Sequence, residues 1–147
     1  MGTTVLCTSK TTQTLVQNVH LRKHLKAFLF PGAPIAGSAI LPQKAVKAFI
    51  AIGYVFGWWP SLLFGKHYAA VLEADVPMLF IQGDRDGFTP AHVLEEKLKL
   101  ARGKAAAHYF PGVGHFELEG QEFDSSIATL CTQWIVDQTS LLEAQKG

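Results

Sequence analysis

The sequence predicts an α/β domain: a mostly parallel sheet with flanking helices. Three observations carry this. Residues 48–55 (AFIAIGYV), 77–82 (PMLFIQ) and 106–110 (AAHYF) are short, largely apolar runs bounded by glycine or polar turns, as strands buried on both faces are. Strand-like and helix-like stretches alternate through the second half, the pattern of a parallel sheet with crossover helices. With 48% hydrophobic and 17% charged residues among 147, the chain has apolar material for one buried core and too much for a disordered segment.

In chain order, residues 1–12 are polar and threonine-rich and are expected to be poorly ordered. Thr14 with Gln17 fits a capping box, and Leu15, Val19, Leu21 and Leu25 give a loose apolar face for a helix. His20 and His24 lie one helical turn apart, without a glutamate between them or a third ligand, so they read as surface histidines and not as a metal pair. Residues 26–30 (KAFLF) form a short strand that stops at Pro31. The alanine- and glycine-rich residues 33–49 suit a helix packed close to a sheet. The strand at 48–55 is expected to run towards Gly57.

An eighteen-residue uncharged run, 48–65, also carries Gly53 and Gly57 four apart, which raises a membrane-spanning helix as a weaker reading. Pro60, the central Trp58-Trp59 pair and the β-branched, aromatic first half oppose it. The favoured sequence of elements is a buried strand, an aromatic loop over 58–64 and a short helix over 67–73.

Further on, 77–82 is a strand, 83–88 a loop, and Thr89-Pro90 a helix start with threonine as N-cap and proline at the first position. That helix is expected to reach Arg102 and end at Gly103. After the strand at 106–110, a last helix starts near Ser125. Its Ile127, Leu130, Cys131, Trp134 and Ile135 fall on one apolar stripe.

The net charge of +1 conceals an asymmetry: residues 1–72 hold seven Lys/Arg and no acid, residues 73–147 six Lys/Arg and twelve acids. The basic residues are scattered and not interleaved with aromatics, which argues against a nucleic-acid partner. Cys7 and Cys131 make neither a disulfide framework nor a metal spacing, which fits a reducing, cytoplasmic setting. The first residues lack a signal-peptide core, and their scarcity of arginine weakens an organelle-import reading.

The chemistry gathers at two strand ends. Asp86 lies in the turn after 77–82 and His115 in the turn after 106–110, both at carboxyl ends, where ligands collect in parallel sheets. A histidine moves protons near neutral pH, and a carboxylate on its second nitrogen fixes the tautomer and stabilises the imidazolium. Asp86 and His115 are therefore the candidate catalytic residues.

Gly83-Asp84-Arg85-Asp86 resembles the Gly-x-x-Asp turn after the seventh strand of the α/β-hydrolase fold, and Gly112-Val113-Gly114-His115-Phe116 its Gly-x-Gly-His turn after the eighth. GAPIAGSAI and FIAIGYVFG resemble small, lidless dienelactone-hydrolase-like members, including testis-expressed hydrolase-like proteins and plant relatives. The resemblance covers about residues 26–137. It implies half of an α/β-hydrolase fold, with strands equivalent to five to eight, and ester or acyl hydrolysis by a Ser-Asp-His triad without cofactor or metal. Residues 1–25 are set apart as an unrelated, partly helical segment, and 26–147 as the C-terminal part of the hydrolase domain.

One departure governs function. The resemblance puts Phe30 where the serine belongs, Phe28 where the first elbow glycine belongs, and Pro31 where a backbone N–H serves the oxyanion hole; no Gly-x-Ser-x-Gly occurs. Proline has no such N–H, and loss of one oxyanion donor costs on the order of 3 kcal/mol. Ser38 falls past the elbow, Cys131 in a core stripe and Cys7 in the polar start; Asp84 is the alternative acid, and His108 reads as a structural strand residue. The expectation is a truncated hydrolase-like protein without its nucleophile, a pseudoenzyme. It would take a small acyl or ester ligand and be prone to homodimerise through an exposed edge at 26–30 unless residues 1–25 cover it. The alternative is a non-catalytic binding or interaction domain using Trp58, Trp59 and Phe64.

Overall fold

The computed structural model describes residues 4–8, 25–27, 46–56, 62 and 70–144. Among the described residues, five strands form one sheet: β1 (Thr4–Thr8), β2 (Leu25–Ala27), β3 (Val46–Ile52), β4 (Met78–Gly83) and β5 (Ala105–Phe110). Their spatial order is β2-β1-β3-β4-β5, and every pair is parallel. Two helices, α1 (Ala91–Leu98) and α2 (Gln121–Ala144), follow β4 and β5.

The central strands are apolar without alternation because both of their faces are covered. On β3 and β4, Phe49, Ala51, Met78 and Phe80 point into one core with Tyr54, Phe56, Val71 and Leu94 of α1. Their neighbours Ile50, Ile52, Leu79 and Ile81 point into the other, with Leu118 and the Ile127, Cys131 and Ile135 stripe of α2. In the first core, Phe49, Tyr54, Phe56 and Phe80 meet ring to ring, Tyr54 and Phe80 nearly perpendicular at 5.6 Å. β5 is an edge strand and alternates between half-buried and exposed positions over its first residues.

Several expectations are corrected. Residues 4–8, expected to be poorly ordered, form β1 inside the sheet. The strand expected at 26–30 is β2, shifted to Leu25–Ala27, and it pairs with β1 and not with β3. The neighbouring edge of β3 is thus covered from within residues 1–25, while β2 is itself an edge. The strand expected over 48–55 ends at Ile52, because Gly53 takes a left-handed conformation at φ 63° that turns the chain. The membrane-spanning reading fails at its first half, which is β3; among the described residues no helix is long and apolar enough to cross a membrane.

Gly103 does not cap α1, which already ends at Leu98. Instead a Cβ at Gly103 would lie 2.1 Å from the Val76 carbonyl oxygen. Glycine is needed there so that this turn can pass the segment leading into β4, and the Arg102 N–H donates to the Leu72 carbonyl at 2.8 Å. The last helix begins four residues before Ser125, at Gln121. Of the helix expected over 67–73, residues 70–73 form one 3-10 turn. The helix expected over 33–49 is contradicted at its end, where residues 46–49 belong to β3, and the helix expected from Thr14 at Leu25, which belongs to β2; the rest of both stretches, with His20 and His24, lies outside the described residues.

Candidate functional site

The register of the sheet builds the site. β4 and β5 are paired from Met78 with Ala105 to Gly83 with Phe110, so both strands end level and their turns rise side by side. The turns are stitched together: the Asp84 N–H donates to the Phe110 carbonyl at 3.1 Å, the Arg85 N–H to the Val113 carbonyl at 3.0 Å, and the Gly112 N–H to Asp84 Oδ1 at 2.7 Å. A Cβ at Gly83 would lie 2.1 Å from the Val113 oxygen, so only glycine allows this approach. Asp84, the alternative acid, is thereby occupied in holding the second turn.

Asp86 and His115 meet at the centre. His115 Nδ1 lies 2.6 Å from Asp86 Oδ2, and both side chains are buried. The carboxylate keeps the imidazole proton on Nδ1 and leaves Nε2 as the proton-accepting nitrogen. Asp86 is itself well held: its Oδ1 accepts the N–H groups of Phe88 at 2.7 Å and Thr89 at 2.9 Å, and its Oδ2 accepts Gln82 Nε2 as well as His115. Such donors fix the plane of the carboxylate.

The end of β3 completes the surroundings. Gly53 lies beside the imidazole, since a Cβ there would come to 3.4 Å from His115 Cε1. Thr89 does not cap α1, as Pro90 holds that position and no side chain caps the helix. Its hydroxyl instead accepts the Phe56 N–H at 2.7 Å and ties the loop after β3 to the loop after β4. The His115 turn is braced by Glu117, whose Oε2 accepts the Gly114 N–H at 2.7 Å.

Sequence reasoning missed Gln82. It is fully buried, donates to Asp86 and reaches the Tyr54 carbonyl at 3.4 Å, while its Oε1 has no hydrogen-bond partner. The available signal was a lone amide closing an otherwise continuous apolar strand, directly before the turn that bears the acid. His108 sits exposed on β5, 5.3 Å from the Phe110 ring, away from the pair. Cys131 is buried core. Phe28, Phe30, Pro31, Ser38 and the aromatic loop with Trp58, Trp59 and Phe64 lie outside the described residues, and Cys7 is known only as part of β1.

No group of three or more His, Cys, Asp or Glu is placed to hold a metal among the described residues. A cavity of about 360 Å³ lies at the opposite, amino-terminal end of β4 and β5, lined by Val76, Pro77, Met78, Lys104, Ala105 and Trp134 among others; neither Asp86 nor His115 reaches it.

Neither a family model nor a curated protein matches the sequence. Solved structures do match. An α/β serine hydrolase homologue from Coxiella burnetii is similar at 22% identity and a TM-score of 0.54, over 82% of this chain and 53% of its own. Est1E from Butyrivibrio proteoclasticus is similar at 8% identity and a TM-score of 0.63, over 95% of this chain and 88% of its own. The esterase domain of a Rhodothermus marinus protein is similar at 11% identity and a TM-score of 0.63, over 90% and 85%. The chain thus spans about half the length of the Coxiella homologue.

Proposed function

We propose, from the part of the α/β-hydrolase fold that this chain has, that it keeps the acid and histidine of an ester- or acyl-hydrolase site without the serine that would attack the acyl carbon. The observation that carries this reading is the buried Asp86–His115 contact of 2.6 Å at the carboxyl ends of β4 and β5. It is supported by the absence of any Gly-x-Ser-x-Gly in the chain.

The pair has a defined chemical competence. With its proton held on Nδ1, His115 accepts a proton at Nε2 from a bound hydroxyl compound or water, and Asp86 stabilises the imidazolium that results. Covalent acyl transfer needs a side-chain hydroxyl beside Nε2 as well, and the pair alone does not supply one. Without a Gly-x-Ser-x-Gly nucleophile, the protein on this reading binds an acyl or ester compound and forms no acyl-enzyme.

A fluorophosphonate probe tests this directly on purified, folded protein, with peptide mapping and a His115→Ala control. The expected result is no serine adduct. A labelled serine that disappears in the control would overturn the reading and identify the nucleophile.

A further inference from the structure

Two exposed phenyl rings stand against the imidazole. Phe88 is 40% exposed and Phe116 66%, and they are the exposed aromatic side chains among the described large apolar residues. Their centroids lie 4.8 and 5.2 Å from that of His115 and 5.6 Å from each other, with the two phenyl planes nearly perpendicular at 84°. His115 is only 6% exposed, so the imidazole sits at the base of a cluster whose outer parts are the two phenyl rings.

The same backbone positions both rings and the pair. Phe88 donates its N–H to Asp86 Oδ1, and Phe116 directly follows His115. A ligand that reaches the imidazole therefore passes apolar surface whose position is set by the acid and the histidine themselves. Charge restricts that ligand further. The buried polar side chains among the described residues are Gln82, Asp86, Thr89 and His115, with no lysine or arginine among them, and Glu117 stands on the adjacent turn. An anionic group would find no buried lysine or arginine among the described residues to receive it.

We propose that Phe88 and Phe116 form a ligand-gripping lip on the Asp86–His115 site, and that the site takes a neutral compound bearing an aryl group on its ester or amide in preference to short aliphatic or anionic ones. This rests on the pair being the proton-handling centre proposed above. Edge and face contacts with two rings, together with the water they release, account for about a tenfold gain in affinity for an aryl over a methyl group.

The test follows the His115 ring resonances of the full chain by NMR during titration with phenylacetamide, acetamide and phenylacetate. Phenylacetamide is expected to move the His115 signals and to bind about tenfold more tightly than either other probe. Phe88→Ala and Phe116→Ala should each remove most of that preference, while Phe116→Leu, which keeps apolar bulk, should retain part of it. Near-ultraviolet circular dichroism confirms that each variant is folded. Equal affinities for phenylacetamide and acetamide, tight phenylacetate binding, or undiminished selectivity in both alanine variants would overturn the lip. The low-field Nδ1 proton signal of an imidazole bonded to a carboxylate separates the two levels. If it is missing from the folded wild type, the pair itself fails; if it is present and the probes bind alike, only the lip fails.

Discussion

At the scale of single residues, buried polar groups decide what this chain is able to do. Asp86 collects two backbone donors, the Gln82 amide and the His115 imidazole, so the one buried carboxylate of the described core is fully engaged. Gln82 directs its amine towards that carboxylate and leaves its carbonyl oxygen unpartnered, an unfavourable arrangement kept only where the other end of the amide gains a charged acceptor. Tyr54 makes the opposite adjustment: burial pushes its phenol well above the ordinary value of 10. The folded chain then holds the Tyr54 proton more tightly than the unfolded chain does. The resulting stability is fully present below pH 10 and is lost as pH rises from there towards the folded-state value, by up to about 1.4 kcal/mol per pH unit. In urea unfolding between pH 9 and 11, the wild type should lose stability more steeply than Tyr54→Phe. Parallel pH slopes for the two proteins would show that Tyr54 ionises freely.

At the scale of elements, the turns after β4 and β5 act as one piece because glycine lets them touch. Gly83→Ala would drive a methyl group into the Val113 carbonyl, which cannot swing away as a long side chain would. A loss of about 1–3 kcal/mol in chemical denaturation is expected, together with weakening of the Asp86–His115 contact seen at the Nδ1 proton. Gly87, in the same loop, has nothing within 4 Å of an added Cβ. Gly87→Ala is therefore expected to stay within about 0.5 kcal/mol of the wild type, and equal losses at the two glycines would contradict the close approach. This pair of turns was the most legible part of the sequence, because each is punctuated by glycine and follows a short, largely apolar run; only the first run is a buried strand, since β5 is an edge strand with Ala106 and His108 exposed. Thr89 was misread for a reason that recurs: Thr-Pro before an apolar periodic stretch has the local pattern of a helix cap, but the Phe56 N–H, thirty-three residues away, claims the hydroxyl. β1 was not legible at all. Its TVLCT lies among threonines and polar residues, five residues are too few to show a period, and what makes it a strand is the edge of β3, which no local reading contains.

At the scale of the whole molecule, the sheet is held together through β1. It pairs with β2 on one side, Leu6 with Lys26, and with β3 on the other, Leu6 with Phe49. Leu6→Pro takes one donor out of an interior ladder and is expected to cost about 1–3 kcal/mol, with hydrogen-exchange protection falling first in β3. An unchanged denaturation midpoint would mean that residues 4–8 contribute nothing to the sheet. That all four strand pairs are parallel has a further consequence, in time and not in stability. A parallel strand never finds its neighbour by folding back through a tight turn; β1 meets β3 only after about forty intervening residues have been gathered in, and each later pairing also closes a long loop. The described strands therefore offer refolding no local hairpin from which to start, which places this sheet with the slow folders, whose β edges stay open to other copies for longest while the sheet assembles.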